Sequence, residues 1–200
     1  MAANETLEMI RKSQIIDAAL RLISRDGIHG VTMDDIAKES GLSKGGIAHY
    51  FSSKDILVKE TFGEFFKQVF AQSKATCDQC SDPLQKLLSF GWLYNWDDPR
   101  VNLGYPLLFE CISLAARNED FRQIMHDWIE NWVCLLADAI QEGIDSGMFS
   151  IADVKGTARS ISAIYHGIAL RWYIDPATHT SQWAIRSFTE AITALVERKK

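Results

Sequence analysis

The chain has 200 residues, of which 47% are hydrophobic and 24% are charged, and its net charge is −5. This composition is typical of a soluble globular protein, and the acidic balance argues against a protein that coats nucleic acid regardless of sequence. No stretch has the pattern of a signal peptide, and no run of 18 apolar residues occurs, so we expect a cytoplasmic protein without a membrane segment. The few prolines and the lack of alternating β-branched residues favour an all-α fold.

The first predicted helix covers residues 7–25, where apolar residues recur at helical spacing, and Asp26-Gly27 ends it. The net charge differs between the N-terminal and C-terminal parts of the chain. Residues 1–54 contain seven basic and seven acidic side chains, whereas residues 55–200 contain 14 basic and 19 acidic ones. The acidity therefore belongs to the larger C-terminal part, and a surface that faces phosphates remains compatible with the N-terminal part.

Two short helices are predicted next, joined by a turn. Thr32 and Asp35, three residues apart, form a helix-start signature, because a hydroxyl and a carboxylate can both pair with backbone N–H groups there. Gly41 permits a positive φ that ends this second helix. Ser43 then caps a third helix over residues 44 to about 49, with Ile47 as its buried anchor. This spacing predicts a helix-turn-helix unit.

Six further helices are predicted beyond this unit. The fourth begins near Ser53-Lys54 and carries many large apolar residues, so we expect it to connect the two domains. The others are expected at residues 83–95, 104–117, 118–146, 153–174 and 180–198, with breaks at Asp97-Asp98-Pro99-Arg100, Ser146-Gly147 and Asp175-Pro176.

A series of residues with specific order and spacing runs through residues 15–57. It comprises Gly27, Thr32, Asp35-Ile36-Ala37, Gly41-Leu42-Ser43-Lys44-Gly45, Tyr50-Phe51 and Ser53-Lys54. In this respect the chain resembles the tetracycline-repressor (TetR) family of one-component bacterial regulators. The resemblance implies an all-helical homodimer with a helix-turn-helix DNA-binding domain at residues 1–55. Residues 56–200 would then form a ligand-binding and dimerisation domain, with the last two helices forming the dimer interface.

The resemblance also implies which residues face DNA. Thr32 and Lys54 would face phosphates, residues 44–46 would face base edges, and His49 with Tyr50 would face the backbone or the groove wall. The full set is Thr32, Ser43, Lys44, Gly45, Gly46, His49, Tyr50 and Lys54. Two positions depart from the family, because Gly46 stands where Thr or Ser is common and Ala48 where Tyr is common. We therefore expect few direct side-chain contacts with bases.

Aromatic residues dominate the expected ligand pocket, if the family's arrangement holds. Trp92 and Trp96 are predicted to share one helical face, as are Trp128 and Trp132. The candidates are Trp92, Trp96, Tyr105, Phe109, Cys111, Trp128, Trp132, Tyr165 and His166. Such a pocket suits a flat apolar ligand, or a cation if Glu110, Asp127 or Glu130 lies nearby.

Cys77 and Cys80 have the C-x-x-C spacing of some metal and redox sites. Zinc requires about four ligands, and thioredoxin-like chemistry requires a strand-helix context, and neither accompanies this pair. We therefore expect thiols, with no metal and no cofactor, and keep thiol oxidation as a variant to be tested.

The predicted function is a ligand-responsive repressor that leaves a near-palindromic DNA operator when a small molecule binds the C-terminal domain. The partners would be double-stranded DNA, an effector and a second copy of the chain. An activator of the same fold is the alternative, since the sign of regulation depends on operator position. A helical enzyme or a metal- or redox-binding protein is a further alternative, but no arrangement of nucleophile, base and acid supports catalysis.

Overall fold

The computed structural model describes residues 2–197, with side chains from residue 6. All regular elements in this part of the chain are helices, as the sequence predicts. The nine α-helices among the described residues are α1 (Ala2–Gly30), α2 (Met33–Ser40), α3 (Lys44–Tyr50), α4 (Lys54–Asp78), α5 (Pro83–Leu88), α6 (Pro99–Ala115), α7 (Glu119–Asp145), α8 (Val154–Ile174) and α9 (Ser181–Val196), and a 3-10 helix (Ser89–Tyr94) follows α5. None of the described helices is both long and apolar enough to cross a bilayer.

Two compact units divide the chain. Unit 1 contains the residues up to Gln68 together with Asn102–Met125, and unit 2 contains Val69–Val101 together with the residues from His126 onward. The chain passes from one unit to the other within α4, near the start of α6 and within α7. The division between a DNA-binding part at residues 1–55 and a ligand-binding part at 56–200 concerns function rather than packing, and it stays a prediction.

Helix α1 supplies much of the core of unit 1. Its periodic residues Ile15, Ala18, Ala19, Leu22 and Ile23 are all at most 4% exposed. Gly27 has φ 71° and ψ 162°, a combination essentially restricted to glycine, and it interrupts the helix. The helical path therefore ends where Asp26-Gly27 predicts, although a further turn extends to Gly30.

The core of unit 2 is largely aromatic. The rings of Tyr94, Trp132, Tyr165, Trp172 and Phe188 are all at most 2% exposed. Their polar atoms are partly satisfied, because the Tyr165 hydroxyl donates to the Leu87 carbonyl at 2.7 Å and the Tyr94 hydroxyl donates to the Tyr165 carbonyl at 3.0 Å. These buried hydrogen bonds fix α8 against the segment that contains α5 and the 3-10 helix.

Two helix boundaries differ from the predictions. The helix expected over residues 83–95 is α only as far as Leu88, because Phe90 and Tyr94 turn inward in a tighter 3-10 segment. Helix α6 begins at Pro99 rather than at Gly104, since proline fits the first helical turn and Asp98 accepts a hydrogen bond from the Arg100 N–H at 2.9 Å. The predicted last helix end, Arg198, lies outside the described residues.

Candidate functional site

Helix α2 begins with the capping arrangement that its sequence predicts. The Thr32 hydroxyl accepts from the Asp35 N–H at 3.2 Å, and the Thr32 N–H donates to the Asp35 carboxylate at 2.9 Å. The Thr32 hydroxyl also donates to that carboxylate at 2.6 Å. These hydrogen bonds from the Thr32 hydroxyl and N–H hold the pKa of the Asp35 carboxyl below its usual value. Thr32 is exposed at the N-terminal end of α2.

The turn between α2 and α3 fixes the direction of the third helix. Gly41 has φ 71°, and its N–H points to the carbonyls of the last turn of α2. Ser43 then caps α3, accepting from the Gly46 N–H at 3.1 Å. Ile47 is fully buried and anchors the helix, while Lys44, Gly45 and His49 are exposed. Helix α3 therefore presents a glycine backbone and two basic-type side chains to solvent.

Gly45 lacks a structural reason to be glycine. It is not among the glycines with positive φ, and a Cβ added there would meet no atom within 4 Å. A glycine in a helix costs about 0.5–1 kcal/mol relative to alanine. By contrast, a Cβ on Gly46 would lie 3.3 Å from the capping Ser43 hydroxyl, so Gly46 has a local packing role.

The cationic side chains of this region are already engaged within the protein. The Lys44 ammonium pairs with the Asp34 carboxylate at 2.9 Å, with both side chains 67% exposed. The Lys54 ammonium donates to the Ile28 carbonyl at 2.7 Å. His49 and Tyr50 contact each other edge to face, with ring centroids 5.1 Å apart. An exposed ion pair contributes about 0–1 kcal/mol, so Lys44 can readily change partners.

The predicted ligand residues fall into both units. Unit 2 contains Trp92, Trp96, Trp128, Trp132, Tyr165 and His166, whereas unit 1 contains Tyr105, Phe109 and Cys111. Tyr105 and Phe109 lie 6.3 Å apart, centroid to centroid. Cys111 is fully buried, and burial raises the pKa of its thiol to about 12. Cys111 is therefore an inert apolar group rather than a nucleophile.

Four of the candidates in unit 2 form one group, the aromatic cluster, which consists of Trp128, Trp132, Tyr165 and His166. Trp128 lies 5.0 Å from the His166 ring, and Trp132 lies 6.1 Å from the Tyr165 ring. Burial lowers the pKa of His166, so its ring is neutral at pH 7. The indole N–H of Trp132 is buried without a hydrogen-bond acceptor among the described residues.

Trp92 and Trp96 do not share a helical face, contrary to the prediction. Trp92 belongs to the 3-10 helix, while Trp96 follows its end. The Arg100 guanidinium lies 5.6 Å from the centre of the Trp92 ring. Trp96 instead stacks on Trp172 at 4.1 Å. The two side chains therefore have different neighbours.

The carboxylates proposed as partners for a cation are unequal. Glu130 already pairs with Lys155 at 3.2 Å and with Arg159 at 3.4 Å. Glu110 belongs to unit 1, where its carboxylate oxygen lies 3.0 Å from the position of a Cβ on Gly27. No local sequence pattern predicts this approach, because the two residues are 83 positions apart.

Cys77 and Cys80 are both free thiols. Burial raises the pKa of Cys77, which disfavours the reactive thiolate. Within the described residues, no group of three or more His, Cys, Asp or Glu side chains is arranged to hold a metal ion.

The capped turn, the buried anchor and the exposed face of α3 define a helix-turn-helix protein. Two family models match the chain: the tetR family of bacterial regulatory proteins at residues 15–61, and the C-terminal domain of the BetI-type transcriptional repressor at residues 105–197. The chain belongs to the TetR family of transcriptional regulators.

Individual relatives agree with this assignment. The HTH-type transcriptional regulator BetI of Agrobacterium fabrum is 38% identical over 81 residues, which is 40% of this chain and 39% of that protein. The match therefore spans about two fifths of the relative's length. A transcriptional regulator from Saccharomonospora viridis in complex with choline has a TM-score of 0.83 at 22% identity, covering 94% of this chain and 98% of that one. FadR of Bacillus subtilis in complex with stearoyl-CoA has a TM-score of 0.72 at 22% identity, covering 92% and 99%. At such identities the two structures show the fold alone.

Proposed function

We propose that the protein is a repressor that binds a near-palindromic DNA operator through α3 and releases it when a small molecule binds the C-terminal part. The exposed glycine backbone of α3 is the observation that carries the proposal. The protein itself leaves room for a methyl group at Gly45. We therefore attribute the lack of a side chain at this position to a binding partner that approaches the backbone closely. A duplex major groove admits a helix in this way.

The side chains around Gly45 suit a negatively charged partner. Lys44 can exchange Asp34 for a phosphate or for the acceptors of a guanine, and His49 is exposed one turn further along. Thr32 and Lys54 lie at helix ends and would position the protein on phosphates, with Ser43, Gly46 and Tyr50 supporting the same surface. Because few side chains read bases, DNA shape would contribute to specificity.

The test of the DNA-binding surface is a double variant, Lys44→Ala with His49→Ala. We expect it to remain folded and to lose at least about tenfold in affinity for the DNA upstream of its gene, measured by fluorescence anisotropy at fixed salt. Lys67→Ala, which removes an exposed lysine on α4, serves as the control for net charge. A double variant that binds with full sequence preference would refute the assignment of α3.

A homodimer would give the geometry that a palindromic operator requires, with recognition helices about 34 Å apart. Support comes from the outer face of α8, where Ala163, Gly167, Leu170 and Ile174 are exposed and recur at helical spacing. Ile174 is 69% exposed, and Ile185 on α9 is 43% exposed. Contiguous apolar surface of this kind is typical of an interaction site.

The aromatic cluster of unit 2 is the proposed effector site. Its ring faces suit a small apolar molecule or a quaternary ammonium ion, and the Trp132 indole N–H would gain an acceptor from a bound molecule. Choline in the Saccharomonospora viridis structure favours the ammonium alternative. Since Glu130 is already paired with two cations, the ring faces rather than this carboxylate would hold the positive charge.

The effector proposal is tested by tryptophan fluorescence with choline chloride as the probe. We expect a saturable change that Trp132→Phe removes and Trp183→Phe retains, because Trp183 contacts His179 instead of the cluster. Choline should also release the DNA fragment and raise transcription from the promoter. Saturable binding that survives in Trp132→Phe would contradict the site, and lower transcription on gene deletion would indicate the activator alternative.

A further inference from the structure

A cleft of about 310 Å³ lies within unit 1, between the C-terminal part of α1 and the middle of α6. This volume is at the lower end of the range of small-molecule sites in proteins. Its lining residues are Ile23, Ser24 and Gly27 from α1, with Pro106, Phe109, Glu110 and Ser113 from α6. No residue of α3 or of the aromatic cluster lines it, so it is separate from both proposed sites.

Glu110 gives the cleft an uncompensated negative charge. Its side chain is half-buried, and its carboxylate forms no hydrogen bond or ion pair with any described residue. The carboxylate lies directly over Gly27, since a Cβ on Gly27 would be 3.0 Å from one of its oxygens. A half-buried carboxylate without a partner favours the binding of a cation.

The end of α1 adds to this negative potential. Gly27 interrupts the helix, and the last carbonyls of a helix carry its negative end. Lys54 reaches this part of the chain but donates to the Ile28 carbonyl at 2.7 Å, and no ion pair joins it to Glu110 within the described structure. The Ser24 hydroxyl donates to the Leu103 carbonyl at 3.0 Å, which holds α1 and α6 together beside the cleft.

We propose that this cleft binds a primary alkylammonium ion. Its three N–H donors would meet the Glu110 carboxylate, the Ser113 hydroxyl and a carbonyl at the end of α1, all of which are acceptors. Its alkyl part would lie on Ile23, Pro106 and Phe109. A quaternary ammonium ion has no N–H to donate, and a bare divalent cation needs more oxygen ligands than one carboxylate supplies.

The bound ion would connect two helices of unit 1. Helix α1 packs directly on α2, the first helix of the helix-turn-helix, and α6 forms the opposite wall of the cleft. An ammonium ion that contacts both walls would restrict movement of α1 relative to α6. This is a second small-molecule site, which does not depend on the effector site of unit 2.

Amide resonances in a ¹H–¹⁵N spectrum of the full chain provide the test, with n-butylammonium chloride as the probe and sodium chloride at equal ionic strength as the reference. We expect the Gly27 and Ser113 amides to shift saturably, with half-saturation on the order of 1 mM. In Glu110→Gln, the half-saturating concentration should rise at least about fivefold, because a charge-assisted hydrogen bond is lost. Asp17→Asn removes one negative charge from α1 at a residue that does not line the cleft, and it should leave the half-saturating concentration unchanged. The Glu110→Gln spectrum itself shows whether that variant is folded.

Three results would overturn the proposal: shifts that sodium chloride reproduces, equal binding by Glu110→Gln, or equal binding of tetramethylammonium. The outcome is independent of the effector site, because all six tryptophans lie outside unit 1 and report on unit 2 alone. Saturable amide shifts without a fluorescence change would support the cleft, even if the aromatic cluster or the DNA-binding surface were refuted.

Discussion

Replacing Gly45 by alanine separates what α3 needs for folding from what it needs for DNA. The added methyl group meets no atom within 4 Å, and Gly45 has no positive φ. Alanine should therefore stabilise the helix by up to about 0.5–1 kcal/mol, the value for a mid-helix position, because Gly45 is only the second residue of α3. For a chain of this size the melting temperature should rise by about 1–4 °C. The same methyl group would prevent close approach to DNA and remove at least one hydrogen bond to a charged phosphate, a loss of roughly tenfold or more in affinity.

The assay combines thermal unfolding by circular dichroism with fluorescence anisotropy on the upstream DNA at one salt concentration. Gly63→Ala is the matched control, because Gly63 lies in α4 of the same unit and a Cβ there also meets no atom within 4 Å. The control should be stabilised at least as much, because Gly63 lies in the interior of α4, and it should bind DNA as the unchanged protein does. If Gly45→Ala gains stability and keeps full affinity, the argument from the unexplained glycine is wrong.

Three further predictions concern the pH response, the cap and the dimer. Burial lowers the pKa of His166 in the folded protein, so the unfolded chain protonates this ring at a higher pH than the folded protein does. The free energy of unfolding should therefore be largest above about pH 6.5 and decrease as the pH falls toward the folded-state pKa. Urea unfolding of His166→Gln should lack the part of this decrease that comes from His166. Thr32→Ala should lose about 1 kcal/mol of stability and lower the melting temperature by about 2–4 °C, whereas Thr32→Ser should retain the cap; equal melting of both would deny the cap a role. Ile174→Glu should give a monomer at micromolar concentration in sedimentation, with Ile112→Glu on α6 remaining dimeric; a dimeric Ile174→Glu would place the interface elsewhere.

The sequence predicted the helix-turn-helix well because its signals are local. Thr32 with Asp35, Gly41 and Ser43 each act within four residues, and each forms the expected hydrogen bond or dihedral. The prediction that Trp92 and Trp96 share a helical face is wrong for a non-local reason. Burial of Phe90 and Tyr94 against distant helices favours a 3-10 segment, and no pattern within residues 83–95 reports those neighbours.

The start of α6 and the cleft show two other limits. The sequence predicts a break at Pro99, but proline also favours the first turn of a helix, so this signal fits both outcomes. The sequence predicts Glu110 only as a partner for a cation beside aromatic rings. Its approach to Gly27 depends on how α1 meets α6 in unit 1, and such a contact leaves no periodic trace in either segment.

The ion pair between Lys44 and Asp34 has a consequence for how the protein searches DNA. In the free protein, Asp34 pairs with the Lys44 ammonium as a phosphate would. Under the proposed function, Lys44 would have to leave Asp34 on any duplex before it could contact the DNA. The favourable free energy of counterion release from random DNA would then be partly offset, because the displaced Asp34 carboxylate is repelled by the DNA phosphates. A groove whose shape also accommodates the bare backbone at Gly45 adds contacts that random DNA does not. Under the proposed function, the Asp34 carboxylate would therefore compete with DNA for Lys44, and a purely electrostatic encounter would overcome this competition less easily than a matched site would.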